Sequence, residues 1–146
     1  MVSVKLVEAT YSDIEKMIEF ELDTLDNPTE DDVEWIEKDA QASFPDTRMI
    51  VKDGKQIGML TAYTVSGYKT DDWWYIGEIY LVPEWRGKGI GRAVMQHEID
   101  EHEKLLLRVM PENTHAVSLY KSLGFTETDE FEPVCGLIYM SLEKDG

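Results

Sequence analysis

The sequence predicts a single α/β domain built on a mixed β-sheet. Its 146 residues and 16.8 kDa are the size of one domain, and 42% apolar with 10% aromatic residues are enough to form a core. Hydrophobic periodicity changes along the chain and predicts the element order β-α-α-β-β-β-α-β-α-β-β. No repeat, low-complexity tract or linker interrupts the sequence, so residues 1–146 are expected to form one domain.

The first half of the chain predicts a strand, two helices and a hairpin. Residues 2–7 alternate in the way that is typical of a strand. Two segments with helical apolar spacing follow, and Asn27-Pro28-Thr29 ends the first helix and caps the second. Asp53-Gly54 favours a tight turn, so residues 49–52 and 56–65 are expected to pair as a hairpin.

The second half of the chain predicts four further strands and two helices. Their boundaries follow from apolar runs, from Pro83 after a strand, and from Gly124 as the residue that ends the last helix. We expect strands at 73–82, 105–110, 125–131 and 136–142, and helices at 89–102 and 116–123.

The charge of the chain excludes several classes of partner. There are 14 basic and 30 acidic residues, which give a formal net charge of −16. This field repels phosphate backbones and anionic lipid, so no nucleic acid and no membrane surface is an expected partner. Residues 1–50 hold 14 acids and 4 bases, whereas residues 51–100 hold 7 acids and 6 bases. An anionic ligand is therefore expected to bind in the middle third of the chain.

Cysteine usage and the lack of targeting patterns predict a cytoplasmic protein. Cys135 is the only cysteine, which excludes an internal disulfide and a cysteine-based zinc cluster. No run approaches the ~18 apolar residues that a membrane-spanning helix needs, and the N-terminus carries no signal-peptide pattern.

A glycine-rich turn between a strand and a helix is the most informative segment. The unpaired N–H groups and the dipole of a helix start attract an anion, and glycines let the backbone approach a phosphate closely. Together these features predict a site for a pyrophosphate-sized ligand. Its glycines and cations are Gly87, Gly89, Gly91, Arg86, Lys88 and Arg92.

Two common nucleotide-binding motifs do not fit this turn. The dinucleotide pattern needs a third glycine where the chain has Arg92. A P-loop needs Ser or Thr after Gly-Lys, but Gly87-Lys88 is followed by Gly89.

The sequence resembles the GNAT superfamily of N-acetyltransferases in two motifs that occur in the right order, about 22 residues apart. The acyl-CoA signature of that family, Arg/Gln-x-x-Gly-x-Gly/Ala after a strand, is matched by Arg86, Gly89 and Gly91. A second signature is matched by Asn113, Ala116, Tyr120, Gly124 and Phe125. The predicted element order also matches the GNAT fold over nearly the whole chain.

The resemblance implies that the protein uses acetyl-CoA and transfers its acetyl group directly to a primary amine. The pyrophosphate would be held by the loop that runs from Arg86 through Gly87, Lys88, Gly89, Ile90 and Gly91 to Arg92. Leu81 and Val82 would bond the pantetheine arm through their main chain. Asn113 would contact the cofactor or fix its loop, and Tyr120 would lie near the thioester sulfur.

Two residues are candidates for moving protons in this reaction. Glu78 is the candidate base that deprotonates the amine, and its alternative is an ordinary solvated strand carboxylate. Strand alternation places Glu78 and Tyr80 on one face. Tyr120 is the candidate acid that protonates the departing thiolate, and its alternative is an ordinary half-buried tyrosine.

No metal is predicted. His97 and His102 are five residues apart rather than four, so they diverge around a helix. Cys135 has no basic neighbour in the sequence and is interpreted as a strand residue.

The acceptor is left open between several amines. In the family the segment before the hairpin shapes the acceptor pocket, and here it is dense in carboxylates, which indicates either a solvated surface or attraction of a cationic polyamine, aminoglycoside or basic peptide. Trp73, Trp74 and Tyr75 would form either aromatic walls or core. The carboxylates are Glu19, Glu21, Asp23, Asp26, Glu30, Asp31, Asp32, Glu34, Glu37 and Asp39.

Two other functions are compatible with the sequence. One is an acyl-CoA sensor that binds the cofactor without turnover, and the other is an acidic module that binds a basic protein. By resemblance to the family, the C-terminal strands could also pair two copies into a homodimer.

Overall fold

The computed structural model describes residues 3–68, 71–128 and 136–144, and its elements follow the predicted order. The helices are α1 (Ile14–Asp23), α2 (Glu30–Ser43), α3 (Ile90–Glu101) and α4 (Thr114–Ser122). The strands are β1 (Lys5–Glu8), β2 (Thr47–Lys52), β3 (Lys55–Tyr68), β4 (Asp71–Leu81), β5 (Lys104–Val109), β6 (Thr126–Thr128) and β7 (Ile138–Glu143).

The seven strands form one mixed sheet in the order β1-β2-β3-β4-β5-β7-β6. Strand β4 pairs with β5 in parallel, with Trp74 opposite Leu105. The β1–β2, β2–β3, β5–β7 and β6–β7 pairs are antiparallel. A helical crossover between β4 and β5 is what a parallel pair requires, and α3 supplies it. The predicted mixed α/β sheet is therefore confirmed.

Contacts group the chain into two compact units. The first contains Met1–Ala62 and Glu78–Ala93, and the second contains Tyr63–Gly77 and Val94–Gly146. The organisation of residues 1–146 as one domain stays a prediction.

The first unit packs α1 and α2 against β2 and β3. Met17 and Phe20 of α1, Ala40 of α2 and Met59 of β3 belong to one buried cluster. The predicted start of α2 is confirmed, because Thr29 and Asp32 bond reciprocally: the Asp32 N–H donates to Thr29 Oγ1 at 3.1 Å, and the Thr29 N–H donates to Asp32 Oδ2 at 2.9 Å.

The hairpin is also confirmed, and its turn shows why this dipeptide is needed. Asp53 and Gly54 have φ angles of 52° and 76°, the left-handed region that glycine and aspartate tolerate best. The first strand is shorter than predicted, because it begins at Lys5 and not at residue 2.

The second unit has its own core of aromatic and aliphatic residues. Trp73, Tyr75 and Leu106 form a buried cluster, with Trp73 only 1% exposed. Trp73 and Tyr75 are therefore core residues, and Trp73 also lines, with Trp74, a cavity of about 300 Å³ in this unit. Strand β6 is described over Thr126–Thr128, and Phe125, the first residue of the predicted 125–131, is buried before the strand begins. Residues 129–135, with Cys135, lie outside the described part of the chain.

Of the helices that the structure describes, none combines the length and apolar character needed to cross a membrane.

Candidate active site

The predicted anion loop joins the end of β4 to the start of α3. After Leu81 the chain makes a 3₁₀ turn at Pro83–Trp85, and α3 begins at Ile90. Gly87 and Gly89 have φ angles of 73° and 82°, a region in which residues other than glycine are strained. Two of the three glycines are thus required by the backbone itself.

The start of α3 presents main-chain donors to this loop. Its first backbone hydrogen bond runs from the Ala93 N–H to the Gly89 carbonyl, at 3.1 Å. The N–H groups of the first turn, such as those of Ile90 and Gly91, have no acceptor within the helix. They and the helix dipole favour an anion at this point.

Main-chain groups at the end of β4 already have protein partners. The Val82 N–H donates to the Ile57 carbonyl at 2.8 Å, and the Val82 carbonyl accepts from the Trp85 N–H at 3.0 Å. The Leu81 carbonyl accepts from Arg86 Nε at 2.8 Å. Each carbonyl has a second lone pair, so the contact to pantetheine that the resemblance implies is compatible with the carbonyls but not with the Val82 N–H.

Gly58 of β3 is a residue of this region that sequence reasoning missed. A Cβ at this position would lie 2.0 Å from the Tyr80 carbonyl oxygen and 3.1 Å from a Leu81 methyl group. The end of β4 approaches β3 this closely only because residue 58 has no side chain. An isolated glycine inside a strand pattern was the available signal, since such a glycine often marks a close backbone approach.

Three carboxyl groups from three elements meet beside β4. Glu78 of β4 is partly buried and interacts with Glu21 of α1 and Asp39 of α2. Burial raises the pKa of Glu78, a hydrogen bond from Glu21 lowers it, and the charge of Asp39 raises it. Burial, Glu78 and Asp39 together raise the pKa of Glu21 to about 8. We call Glu21, Asp39 and Glu78 the carboxyl cluster.

The surroundings of Glu78 differ from those of a freely solvated carboxylate. The sequence does not single out Glu21 and Asp39 as its neighbours, because both belong to a long series of acids in the first two helices. Their helical positions carried a signal, because Glu21 lies one turn after buried Met17 and Asp39 one turn after buried Ile36.

Tyr80 shares its strand face with Glu78, as alternation predicts, and links α1 to the glycine loop. Its hydroxyl donates to Asp23 Oδ2 at 2.5 Å, and its ring stacks on Phe20 with centroids 5.0 Å apart. The Arg86 guanidinium carbon lies 5.4 Å from the same ring. Burial, and then the hydrogen bond and charge of Asp23, raise the pKa of Tyr80 to about 12, so this phenol keeps its proton.

A groove of about 300 Å³ lies between the end of α1 and the first half of α2. Trp35 in its wall is 64% exposed, which is unusual for so large an aromatic side chain. Glu21 belongs both to this groove, which we call the α1–α2 groove, and to the carboxyl cluster. Its lining residues are Glu21, Thr24, Leu25, Asp32, Trp35 and Ile36.

The second motif lies in the second unit. Tyr120 of α4 is 9% exposed, more buried than the half-buried alternative, and burial raises the pKa of its phenol. Asn113 caps α4, since its Oδ1 accepts from the Ala116 N–H at 3.2 Å. Gly124 follows α4 with a φ angle of 108°, as expected for the residue that ends a helix.

His97 lies in α3 and His102 follows its last residue, and each has a different protein partner. His97 Nδ1 lies 2.9 Å from Glu98 Oε2, whereas His102 stacks on Trp74 with centroids 4.1 Å apart. Buried Glu98 also accepts a hydrogen bond from Trp74 Nε1 at 3.0 Å. Among the described residues no group of three His, Cys, Asp or Glu side chains is arranged to hold a metal ion.

The fourth strand of the seven-stranded sheet enters α3 through the glycine loop. A family model for the acetyltransferase (GNAT) family matches residues 11–125. The chain belongs to the GNAT family.

One curated relative illustrates this assignment. The ribosomal protein bS18 alanine N-acetyltransferase of Escherichia coli K12 is 35% identical over 98 residues. That match spans 64% of this chain and 65% of the length of the relative.

Solved structures match the fold over almost the whole chain. Protein PH1933 of Pyrococcus horikoshii OT3 has a TM-score of 0.80 at 15% identity, covering 98% of this chain and 99% of its own. The PaiA N-acetyltransferase of Thermoplasma acidophilum, solved in complex with coenzyme A, has a TM-score of 0.69 at 18% identity, covering 97% and 99%. At these identities the likeness concerns the fold.

Proposed function

We propose that the protein transfers an acetyl group from acetyl-CoA to a primary amine. The observation that carries this proposal is the loop from Arg86 to Gly91, in which two glycines with positive φ precede the start of α3 in a chain of the GNAT family. Main-chain N–H groups and the cations Arg86, Lys88 and Arg92 suit the pyrophosphate of CoA.

Glu78 is the proposed base. An amine at neutral pH carries an extra proton that must leave before its nitrogen can attack a thioester. The raised pKa of Glu78 brings its basicity closer to the working pH while its hydrogen bond with Glu21 favours the ionised form. Glu78 takes one proton from the ammonium group, and the freed nitrogen forms the new bond to the acetyl carbon.

Tyr120 is the proposed acid. Bound acetyl-CoA supplies a thioester whose carbon–sulfur bond breaks with the electron pair on sulfur. Burial raises the pKa of Tyr120, so its phenol is protonated at neutral pH and can donate that proton to the thiolate. The new carbon–nitrogen bond leaves a positive charge on nitrogen, so a second proton leaves the nitrogen for solvent as the carbon–sulfur bond breaks, and solvent returns a proton to the Tyr120 phenolate.

The proposed acceptor is a cationic amine that enters by the α1–α2 groove. The groove combines the exposed indole of Trp35 with the carboxylate of Asp32, a combination that attracts an ammonium group. Both an alanine amine of a protein, which the name of the E. coli relative mentions, and a small polycation have this chemistry.

An assay of free thiol release from acetyl-CoA tests the function. The acceptors are an alanine-initiated peptide, a lysine peptide, a polyamine and an aminoglycoside. We expect turnover with at least one of them, and about a 100-fold loss in kcat for Glu78→Gln and for Tyr120→Phe. Glu19→Gln is the matched control, because Glu19 is an exposed acid of α1 that pairs with Lys16 at 3.0 Å.

Two results would replace this function with an alternative. Binding of acetyl-CoA without thiol release from any amine would favour an acyl-CoA sensor. A basic protein partner that binds equally well after Gly89→Glu would favour an interaction module, because that substitution puts a negative charge at the anion loop.

We also propose that the C-terminal strands can pair two copies of the chain. Strand β6 ends the sheet order, so one of its edges has no strand partner within the described sheet. Light scattering after size-exclusion chromatography tests this, and a mass of one chain at high concentration would exclude it.

A further inference from the structure

Tyr80 connects two parts of the first unit that the proposed reaction uses separately. On one side its hydroxyl donates to Asp23 Oδ2 at 2.5 Å, at the last residue of α1. On the other side its ring lies under the guanidinium of Arg86, the first residue of the anion loop. Tyr80 is 6% exposed and belongs to the buried cluster, so it has little freedom to move.

Arg86 is held by the Leu81 carbonyl and by Tyr80. Nε donates to the Leu81 carbonyl at 2.8 Å, and the planar group lies 5.4 Å from the Tyr80 ring centre. A guanidinium has five N–H donors; the one on Nε serves the Leu81 carbonyl, and the Arg86 side chain also hydrogen-bonds the Tyr80 hydroxyl. The remaining donors are on the two Nη atoms, whose fork geometry matches a phosphate.

The end of α1 is at the same time a wall of the α1–α2 groove. Glu21, Thr24 and Leu25, which flank Asp23 in the chain, all line that groove. The Thr24 hydroxyl donates to the Glu21 carbonyl at 2.6 Å and closes the helix end. A shift of Asp23 would therefore move residues on the wall of the proposed acceptor site.

We propose that Asp23 and Tyr80 are positioning residues that hold Arg86 in the orientation for a phosphate and join the acyl-CoA loop to the acceptor groove. This inference rests on the proposed function of the loop and goes beyond it. A phosphate bound by Arg86 stabilises the Arg86–Tyr80 contact, and the Tyr80–Asp23 hydrogen bond passes that stabilisation to the end of α1. Tyr80 itself exchanges no proton.

Hydrogen exchange of the backbone with and without CoA tests the connection without any need for turnover. In the wild type we expect CoA to slow exchange in residues 20–25 as well as in the anion loop. Tyr80→Phe keeps the ring and loses the hydroxyl, so it should keep the slowing in the loop and lose it in residues 20–25. Tyr11→Phe is the matched control, because Tyr11 is a 76% exposed tyrosine of the same unit.

Affinity and kinetics separate positioning from a purely structural role. We expect Tyr80→Leu to weaken CoA binding roughly 3- to 10-fold, because the cation–π contact is lost, and Tyr80→Phe to change it less than twofold. Tyr80→Phe should instead raise the KM of the amine with little change in kcat. Asp23→Ala should behave like Tyr80→Phe, and the double variant should be no worse than either single variant.

A conservative variant of Asp23 and the response of the wild type to CoA complete the hydrogen-exchange test. Asp23→Asn still offers an oxygen to the phenol and should restore the slow exchange of residues 20–25. The inference is overturned if Tyr80→Phe keeps the slow exchange, if wild-type α1 does not respond to CoA, or if the effects of Tyr80→Phe and Asp23→Ala add. Failure of the wild type to bind CoA at all would overturn the proposed function first.

Discussion

Replacing Gly58 by alanine is expected to disturb the end of β4 more than its size suggests. The new methyl group would lie 2.0 Å from the Tyr80 carbonyl oxygen, whereas ordinary van der Waals contact begins at 3.4 Å. The two strands must therefore separate locally by about 1.4 Å, the difference between these distances. The obstacle is main chain, which cannot move aside by changing a side-chain rotamer.

The expected cost of Gly58→Ala is near the upper end of that for overpacking, about 3 kcal/mol. For a chain of this size each kcal/mol lowers Tm by roughly 2–4 °C, so the variant should melt roughly 6–12 °C below the wild type. The affinity for CoA should fall as well, because Leu81 follows Tyr80 directly and is part of the proposed pantetheine contact.

Scanning calorimetry with and without CoA measures both effects. Gly91→Ala is the matched control for stability, since its Cβ would meet nothing closer than a Leu81 methyl group at 4.0 Å. Alanine also favours a helix over glycine, so this control should melt at or slightly above the wild-type temperature. A Gly58→Ala protein that melts within experimental error of the wild type would refute the close approach of β3 and β4.

Three further predictions concern the same unit. Because the folded pKa of Glu21 is about 8, above its unfolded value, its contribution to stability is full below about pH 4.5 and is lost as pH rises to 8. The free energy of unfolding of the wild type minus that of Glu21→Gln, measured by urea titration at each pH, should therefore fall by less than about 1.4 kcal/mol per pH unit. A difference that does not change with pH would contradict the raised pKa. Trp35→Ala should raise the KM of a cationic amine roughly 3- to 10-fold while leaving CoA affinity unchanged, and an equal loss with an uncharged amine would contradict a cation–π role. Thr29→Ala should cost about 1 kcal/mol by removing the cap of α2, and a Tm lowered by roughly 2–4 °C would show it; an unchanged Tm would contradict the cap.

The order of elements could be predicted because it depends on local patterns. Apolar spacing identified α1 and α2, and Asp53-Gly54 identified the hairpin turn, since each pattern reflects backbone geometry within a few residues. The glycine loop was equally visible, because two of its three glycines are required by positive φ angles.

The contacts that surround the proposed base could not be predicted in the same way. Glu21, Asp39 and Glu78 lie on three elements, and their meeting depends on how α1 and α2 pack against β4. In the sequence they are members of a long acidic series with nothing to separate them from solvated neighbours. The same holds for Asp23, whose partner Tyr80 is 57 residues further along the chain.

Strand ends were the least predictable part of the fold. The alternation of residues 2–7 continues beyond the segment that pairs with β2, so β1 begins three residues later than its pattern indicates. Pairing partners decide where a strand begins, and the pattern of one strand does not contain them.

The measurement that tests the central claim most directly is a calorimetric titration of the protein with acetyl-CoA. We expect one molecule to bind per chain, with at least a 100-fold loss of affinity in Gly89→Glu. Gly89→Asn, which tolerates the positive φ of 82° better than most residues and adds no charge, should lose much less affinity than Gly89→Glu. No binding by the wild type, or equal binding by Gly89→Glu, would contradict the assignment of the loop from Arg86 to Gly91 as the acyl-CoA site.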